Sequence, residues 1–264
     1  MLTAGIDIGS TYTKAALLRE GELAGRAMVP TGYRLEAAAR TALRQALAAA
    51  GAKESQVAYL TTTGYGRHRV SFRDLQVTDL TAQAWGARAF FPRTRTVLDV
   101  GGQTMKALRV DARGRVRSFR LNDKCAAGTG AFLEKTARYL GYRIEEIGPL
   151  VERCGESVPI SGVCAVFAES EVINHVSQGR APGEIMLGAM MSLIEKSVRL
   201  MKRVQMEPEF TLVGGIMRFP AMVELMREHL GAEVNVPDGG LVQFTGALGA
   251  AVLSRRRLEA QRAA

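Results

Sequence analysis

Two short stretches decide the fold of this chain: Gly5-Ile6-Asp7-Ile8-Gly9-Ser10-Thr11 near its start, and Leu98-Asp99-Val100-Gly101-Gly102-Gln103 further along. In each stretch an apolar run ends at an aspartate and a glycine follows two residues later, which predicts a strand and a tight turn. A lysine lies seven residues after each aspartate, Lys14 in the first copy and Lys106 in the second. The chain thus contains two copies of one pattern, in which a strand is followed by an Asp-x-Gly turn and a second strand. This repetition predicts a duplicated architecture.

Outside the two copies, strand patterns alternate with helical patterns, which indicates the α/β class. The second strands are expected over 14–18 and 106–110, followed by turns at 20–22 and 114. Helices are expected over 35–50, 79–90, 128–140, 165–177 and 182–204, with a last helix from about 244. Further strands are expected over 57–61, 210–213 and 233–236. No linker separates the two halves, so we expect them to be closely packed.

The composition is that of a globular protein. Its 264 residues, 47% of them hydrophobic, are enough for one large domain or two modest ones. No apolar run reaches about 18 residues, so we expect no transmembrane helix. The first residues enter a strand pattern directly, without the charged and apolar regions of a signal peptide. We therefore expect a cytoplasmic protein that does not bind membranes.

The formal charge is +9, and arginines are clustered in two places. The clustered residues are Arg113, Arg115, Arg117 and Arg120, and then Arg255, Arg256 and Arg257. Two interpretations stay open, an ordinary solvated surface and a docking face for an acidic protein partner. Nucleic-acid binding is not expected, because aromatic residues make up only 6% of the chain and no nucleic-acid motif is present.

The glycine turns have the chemistry of a phosphate site. Gly9 allows the backbone to turn sharply and to approach a ligand closely. The side chains that can donate hydrogen bonds or positive charge to phosphate oxygens are Ser10, Thr11, Thr13 and Lys14. Asp7 and Asp99 are the carboxylates expected to hold hydrated Mg²⁺. One Asp-x-Gly alone is an ordinary strand end; its recurrence favours a nucleotide site, and the chain has no P-loop motif.

These motifs resemble those of the actin, Hsp70 and sugar-kinase superfamily. Residues 5–11 resemble its first phosphate motif and 98–103 its second, which assigns Gly101 and Gly102 to phosphate binding. Val213-Gly214-Gly215-Ile216 resembles the adenosine motif, and 246–251 the small-residue interdomain helix.

The resemblance implies a duplicated actin-like, ribonuclease H-like ATPase fold with two lobes around a nucleotide cleft. The lobes would be 1–95 plus 244–264, and 96–243, the second carrying the cluster cysteines discussed below. Gln103 follows the second phosphate turn, and from this position we expect it to orient the attacking water.

The chain has three cysteines, Cys125, Cys154 and Cys164. Their number and spacing argue against both a disulfide framework and a zinc site. Cys125 precedes the helix introduced by Gly128-Thr129-Gly130, and Cys164 precedes another helical run. A helix N-terminus stabilises thiolate charge, so both positions suit an iron–sulfur cluster. Two chains related by a two-fold axis would supply four thiolates; the alternative is that both are small buried residues.

Residues 122–130 and 163–173 resemble the ATP-dependent activators of 2-hydroxyacyl-CoA dehydratases and the ATPase subunits of benzoyl-CoA reductase (the BadF/BadG/BcrA/BcrD type). The resemblance implies a homodimer that shares one 4Fe–4S cluster, ligated by Cys125 and Cys164 of each subunit. It implies that ATP drives low-potential electron transfer from a ferredoxin or flavodoxin to the dehydratase or reductase. Gly128, Thr129 and Gly130 are included in the expected cofactor-binding set. Cys154 falls outside both motifs and is expected to be structural.

Two alternative functions belong to the same superfamily. A small-molecule kinase would need a carboxylate base aimed at a substrate hydroxyl, and no clear extra Asp motif is present. An Hsp70-like, ATP-gated binding protein would carry inert cysteines. Iron content after anaerobic preparation distinguishes these alternatives from the activator.

Overall fold

The computed structural model describes residues 1–122, 128–152, 154–162 and 164–263. Within these ranges the strands are β1 (Leu2–Ile8), β2 (Tyr12–Arg19), β3 (Glu22–Pro30), β4 (Val57–Thr63), β5 (Leu75–Gln76), β6 (Thr96–Val100), β7 (Met105–Val110), β8 (Val116–Asn122), β9 (Phe210–Val213) and β10 (Val234–Asn235). The helices are α1 (Leu35–Ala49), α2 (Asp79–Phe90), α3 (Gly130–Tyr139), α4 (Ile147–Val151), α5 (Ala165–Ser177), α6 (Pro182–Lys202), α7 (Pro220–Leu230) and α8 (Thr245–Arg262). None of the described helices is long and apolar enough to span a bilayer.

The chain forms two compact units. Unit 1 comprises Met1–Thr94, Val110–Arg117 and Pro237–Ala264, and unit 2 comprises Arg95–Arg109 and Ser118–Val236.

The sheet of unit 1 has the strand order β3-β2-β1-β4-β5, with β1 at its centre. Strand β1 is antiparallel to β2 and parallel to β4. The turn between β2 and β3 consists of Glu20 and Gly21, whose φ values are +52° and +95°. Positive φ at both central residues is the hairpin geometry that matches the twist of the flanking strands. Helix α1 covers one face of this sheet with alanine and leucine side chains.

Close backbone contact contributes to the packing of α8 within unit 1, beside the apolar contacts of Leu248. A Cβ on Gly5 of β1 would overlap the backbone of Ala247 and Ala251 in α8. Likewise a Cβ on Gly249 would overlap the backbone of Ala82 in α2. Such close approach needs glycine on one partner. The small-residue stretch expected to form a helix at 246–251 therefore packs helix α8 against both β1 and α2.

The sheet of unit 2 repeats this arrangement with the order β10-β9-β6-β7-β8. Strand β6 takes the place of β1, with antiparallel β7 on one side and parallel β9 on the other. Helix α6 is the most deeply buried helix of this unit. The guanidinium group of Arg95, with that of Arg109, holds the pKa of the Glu207 carboxyl below its usual range and ties the segment before β9 to the sheet. The repeated strand order agrees with the predicted duplication.

Most predicted elements are present, and two of the missed strands are exposed sheet edges. Helices α2 and α5 and strand β9 have the expected bounds, whereas α3 begins at Gly130 and α6 ends at Lys202. The strands that sequence reasoning missed are β3, β5 and β8, and the missed helices are α4 and α7. Strands β3 and β8 are sheet edges with mostly exposed or half-exposed side chains, so they lack the apolar alternation that identifies a strand. Helix α7 was signalled by Pro220 at its start and Gly231 after its end.

Substituting alanine for Gly249 tests the backbone contact between α8 and α2. The new methyl group would occupy the position of the Ala82 carbonyl, so Gly249→Ala should lower the free energy of unfolding by about 2 kcal/mol. Urea unfolding measures the change. The control is Gly148→Ala in α4, where a Cβ meets no atom within 4 Å. That change should stay within about 1 kcal/mol, and equal losses in both variants would contradict the proposed contact.

Candidate functional site

The first glycine turn lies in unit 1 between β1 and β2. Asp7 of β1 is the cross-strand partner of Lys14 of β2, and Lys14 Nζ lies 3.4 Å from Asp7 Oδ2. Only 13% of the Asp7 side chain and 15% of the Lys14 side chain are exposed. Charges this far removed from water are stable only when paired. The lysine therefore holds a carboxylate in place beside the turn.

The turn itself is closed by a backbone hydrogen bond. The Gly9 N–H donates to the Tyr12 carbonyl at 3.2 Å, and Ser10 and Thr11 between them are exposed. A Cβ on Gly9 would lie 2.8 Å from the same carbonyl oxygen, which is closer than a side chain tolerates. Glycine is required here for close approach. The exposed pair can reach a ligand in solution.

Thr13 lies on the inner side of the turn. It is fully buried, its Oγ1 is 2.9 Å from Thr31 Oγ1, and the Thr31 hydroxyl donates to the Gly9 carbonyl at 2.8 Å. Thr13 thus stabilises the turn through Thr31, a residue that sequence reasoning missed. Its predicted contact with phosphate stays a prediction.

Two further glycines border the Asp7 carboxylate. Gly64, with φ +85°, follows β4, and a Cβ there would overlap Asp7 Oδ1. A Cβ on Gly246, in the first turn of α8, would lie 3.2 Å from Asp7 Oδ2. The two glycines therefore allow the backbone after β4 and the first turn of α8 to pack closely against the carboxylate. The glycine pair 64 and 66 after a strand was the sequence signal that could have assigned this segment.

The second turn, in unit 2, repeats the first. Lys106 Nζ lies 3.4 Å from Asp99 Oδ2, and the Asp99 side chain is 8% exposed. The Gly101 N–H donates to the Thr104 carbonyl at 2.9 Å. Gly102 and Gln103 between them are exposed. The carboxylate, lysine and glycine predicted at each turn are thus brought together twice, once in each unit.

The repetition includes a glycine against the aspartate. Gly214, with φ +96°, follows β9, and a Cβ there would overlap the Val100 carbonyl and lie 2.7 Å from Asp99 Oδ1. This position corresponds to that of Gly64 in unit 1. Gly215 begins the short 3₁₀ turn Gly215–Arg218.

Helix α3 starts on the second turn. The N–H groups of Gly130 and Ala131 donate to the carbonyl oxygens of Gly101 and Gly102, both at 2.9 Å. The first N–H groups of a helix have no partner within the helix, so these carbonyls satisfy two of them. Thr129 and Gly128 immediately before the helix are buried. The backbone of 128–130 is therefore attached to the predicted phosphate turn.

The structure describes two of the three cysteines, Cys154 and Cys164. Cys125 lies outside the described residues. Cys164 is a free, half-buried cysteine immediately before α5, and its carbonyl accepts a hydrogen bond from the Ala168 N–H at 2.9 Å. The thiol of Cys154 lies instead at the start of α6, where a Cβ on Gly183 would overlap its sulfur. Among the described residues, no group of three or more His, Cys, Asp and Glu side chains could hold a metal ion.

Helix α5 is linked to α3 by an ion pair and exposes an apolar face. Lys135 Nζ of α3 donates to Glu169 Oε2 of α5 at 2.6 Å. The Glu169 carboxylate raises the pKa of Lys135, so this link stays charged at neutral pH. The exposed apolar side chains of α5 are Val166, Phe167, Ile173 and Val176. Two of them, Val166 and Phe167, lie two and three residues after Cys164.

Comparison with known proteins assigns the chain to a family. The model of the BadF/BadG/BcrA/BcrD ATPase family matches residues 4–254. This chain belongs to that family. A 2-hydroxyisocaproyl-CoA dehydratase activator from Clostridioides difficile is 37% identical over 253 residues, which cover 96% of this chain and 94% of the activator. An activator of lactoyl-CoA dehydratase from Anaerotignum propionicum is 38% identical over 253 residues, with 96% of each chain covered. A benzoyl-CoA reductase component from Thauera aromatica is 34% identical, with 98% of this chain and 94% of that component covered.

Solved structures confirm the predicted actin-like fold. The Clostridium difficile activator of 2-hydroxyisocaproyl-CoA dehydratase, solved with bound ADPNP, matches with a TM-score of 0.92 and 35% identity. The match covers 100% of this chain and 98% of the activator. A ROK family glucokinase from Streptomyces griseus matches with a TM-score of 0.59 and 16% identity, over 97% of this chain and 100% of the kinase. This second likeness shows the shared fold and carries no support for the kinase alternative.

Substituting alanine for Gly214 tests how closely the chain approaches Asp99. The variant combines a backbone conformation reserved for glycine with an overlap at Val100, so Gly214→Ala should lower the free energy of unfolding by about 3 kcal/mol. It should also weaken ADP binding, because Asp99 must shift. Gly231→Ala is the control, since Gly231 has φ +58° but no atom within 4 Å of a Cβ. The control should lose about 1 kcal/mol and bind ADP normally. Normal ADP binding by Gly214→Ala would contradict the assignment of Asp99 and its neighbouring glycine to the nucleotide site.

Proposed function

We propose that this chain is an ATP-hydrolysing activator that drives low-potential electron transfer to a 2-hydroxyacyl-CoA dehydratase or a benzoyl-CoA reductase-type partner. The observation that carries the proposal is the continuous connection in unit 2. The second glycine turn is hydrogen-bonded to the start of α3, and α3 is ion-paired with α5, which begins after Cys164. The names of the relatives support the same function. The small-molecule kinase and the Hsp70-like alternatives have no comparable support.

The two turns fit the phosphates and Mg²⁺ of a nucleotide. Each has a carboxylate paired with a lysine and bordered by a glycine that allows the backbone to approach it closely. We assign Asp7 and Asp99 to the Mg²⁺ shell and Gln103 to orientation of the attacking water. The remaining assigned residues are Gly9, Ser10, Thr11 and Lys14 at the first turn, and Gly101, Gly102, Gly214 and Gly215 in unit 2. Thr13 is assigned to the same turn, which it supports from the buried side through Thr31. When bound, Mg²⁺ neutralises charge on the phosphate oxygens.

The environment of Cys164 fits an iron–sulfur ligand. Its backbone is extended and it is the residue immediately before a 13-residue helix, where the positive end of the helix dipole favours an anionic cluster. We assign Cys125 and Cys164 of each subunit of a homodimer as the ligands of one 4Fe–4S cluster. When bound, the cluster would accept and release one electron at low potential.

The apolar residues that follow Cys164 support the homodimer. Val166 and Phe167 are 67% and 64% exposed. Contiguous exposed apolar side chains mark contact surfaces, and a two-fold interface would present this patch twice. A second copy of the chain would cover these side chains and exclude water from the thiolates.

Nucleotide binding would be coupled to the cysteines through the second turn, which is hydrogen-bonded to the start of α3. A ligand can shift an equilibrium only through different affinity for its two states. Phosphate bound at the second turn would change the orientation of the Gly101 and Gly102 carbonyls. Because those carbonyls hold the first N–H groups of α3, the helix start would move with them. The electron donor in this proposal is a ferredoxin or a flavodoxin.

The carboxylates are tested by Asp7→Asn and Asp99→Asn. Each change removes a charge assigned to the Mg²⁺ shell, so Mg²⁺-dependent ATP hydrolysis should fall by about 100-fold or more. Phosphate release measures the rate. Asp238→Asn, at an exposed carboxylate, is the control and should retain the wild-type rate. Near-normal turnover in both turn variants would exclude the assignment.

The cysteines are tested by anaerobic iron analysis of single serine variants. Wild type should contain about four iron atoms per dimer. Cys125→Ser and Cys164→Ser should each lose the cluster, because one substitution removes two of four ligands in a symmetric dimer. Cys154→Ser should retain full iron, since its sulfur packs against α6. Loss of iron only in Cys154→Ser would mean that the assigned pair is wrong.

The connection between the turn and the cysteines is tested by Lys135→Met. In wild type, the rate of iron chelation should differ between ATP, ADP and no nucleotide. Removing the ion pair that links α3 to α5 should reduce this difference several-fold while iron content stays normal. Arg138→Met is a matched control, because Arg138 pairs with Glu134 within α3 itself. An unchanged nucleotide effect in Lys135→Met would remove the ion pair from the coupling.

A further inference from the structure

The hydroxyl of Thr63, the last residue of β4, is buried without a hydrogen-bond partner. Thr63 is fully buried, and its Oγ1 has no partner among the residues that the structure describes. Buried hydroxyl groups are almost always hydrogen-bonded in folded proteins, to protein or to ordered water. The function assigned to the chain so far does not use this group.

Thr63 lies beside Asp7 and on the same face of the sheet. The two residues are partners in the register between the parallel strands β1 and β4. Thr61, two residues earlier on β4, bonds Ser254 of α8 at 2.7 Å. Since strand side chains alternate between faces, Thr63 also points to the α8 side. Asp7 points to that side too, because its carboxylate lies near Gly246 of α8.

Unit 2 shows that the fold does not need a hydroxyl at this position. There the residue in register with Asp99 is Val213, which is also fully buried. Valine and threonine have the same shape, so packing alone is satisfied by valine in an equivalent strand. The hydroxyl of Thr63 is therefore an addition specific to the Asp7 site.

We propose that Thr63 is a positioning residue for the Mg²⁺–nucleotide complex, and that its hydroxyl binds a water molecule of the hydration shell held by Asp7. This rests on the proposed function, which assigns Asp7 to that shell. Mg²⁺ in proteins keeps several of its waters, and each such water needs hydrogen-bond partners. The glycines at 64 and 246 bring backbone close to the carboxylate, and the Gln83 amide nitrogen lies 3.4 Å from the Cβ position of Gly246. The hydration shell is thus supported by a hydroxyl at Asp7 and not at Asp99.

The test compares Thr63→Val and Thr63→Ser with wild type by calorimetric titration of ADP, with Mg²⁺ and with EDTA. Mg²⁺ should increase the affinity for ADP about tenfold less in Thr63→Val than in wild type. A factor of this size is the effect of one hydrogen bond to a charged shell. Its affinity in EDTA should be unchanged. Thr63→Ser keeps the hydroxyl and should keep the Mg²⁺ effect.

Thermal unfolding without nucleotide supplies a second readout. Thr63→Val should unfold at the wild-type temperature or higher, since it removes an unsatisfied buried group. The control is Thr136→Val, at a second buried hydroxyl without a partner among the described residues. It should have the same effect on unfolding and none on ADP binding.

Three outcomes are decisive. Loss of the Mg²⁺ effect in Thr63→Val and its retention in Thr63→Ser supports the proposal. A full Mg²⁺ effect in Thr63→Val overturns it and leaves the proposed function standing. If wild type itself binds ADP equally well with Mg²⁺ and with EDTA, the Mg²⁺ site of the proposed function fails, and the role of Thr63 fails with it.

Discussion

The pairing of a nearly buried carboxylate with a lysine is the constraint around which each unit is built. Asp7 and Asp99 are the second-to-last residues of the central strands of their sheets, and each is 3.4 Å from a lysine on the neighbouring antiparallel strand. Neither the carboxylate nor the ammonium group could be buried without the other, because an unpaired buried charge is strongly destabilising. The tight glycine turn follows directly, because the lysine strand must return beside the aspartate strand within a few residues.

The duplicated strand–turn unit could be predicted because it depends on local signals. Aspartate, glycine and lysine at fixed spacing specify the turn, and apolar runs specify the central strands. Helices with clear starts, such as Asp79–Phe90 after the capping Thr78, were predicted at their true bounds. Strands β3 and β8 could not be predicted, since edge strands bury little and their pairing is decided by the rest of the sheet.

The residues of the two turns could be grouped from the sequence, but their contacts could not. Thr13 was grouped with Ser10 and Thr11 by sequence position, but strand alternation turns its hydroxyl inward to Thr31. Gly64 and Gly246 come from β4 and α8, and only the folded unit brings them to Asp7. Such long-range proximity leaves no local pattern. Once one copy is known, however, the repeat predicts the other, as Gly214 beside Asp99 corresponds to Gly64 beside Asp7.

In the proposed function, the start of α3 would connect phosphate chemistry to a cysteine within one unit. A rigid helix transmits a displacement at its first turn along its whole length, whereas a loop would absorb it. The carbonyls of Gly101 and Gly102 are shared between the turn and the helix, so neither can be reoriented without breaking or moving the hydrogen bonds of Gly130 and Ala131. Lys135 lies on the same helix and is bonded to α5. In the proposed function, a change of one carbonyl in the turn would therefore shift the helix that follows Cys164 through hydrogen bonds and an ion pair that are already present.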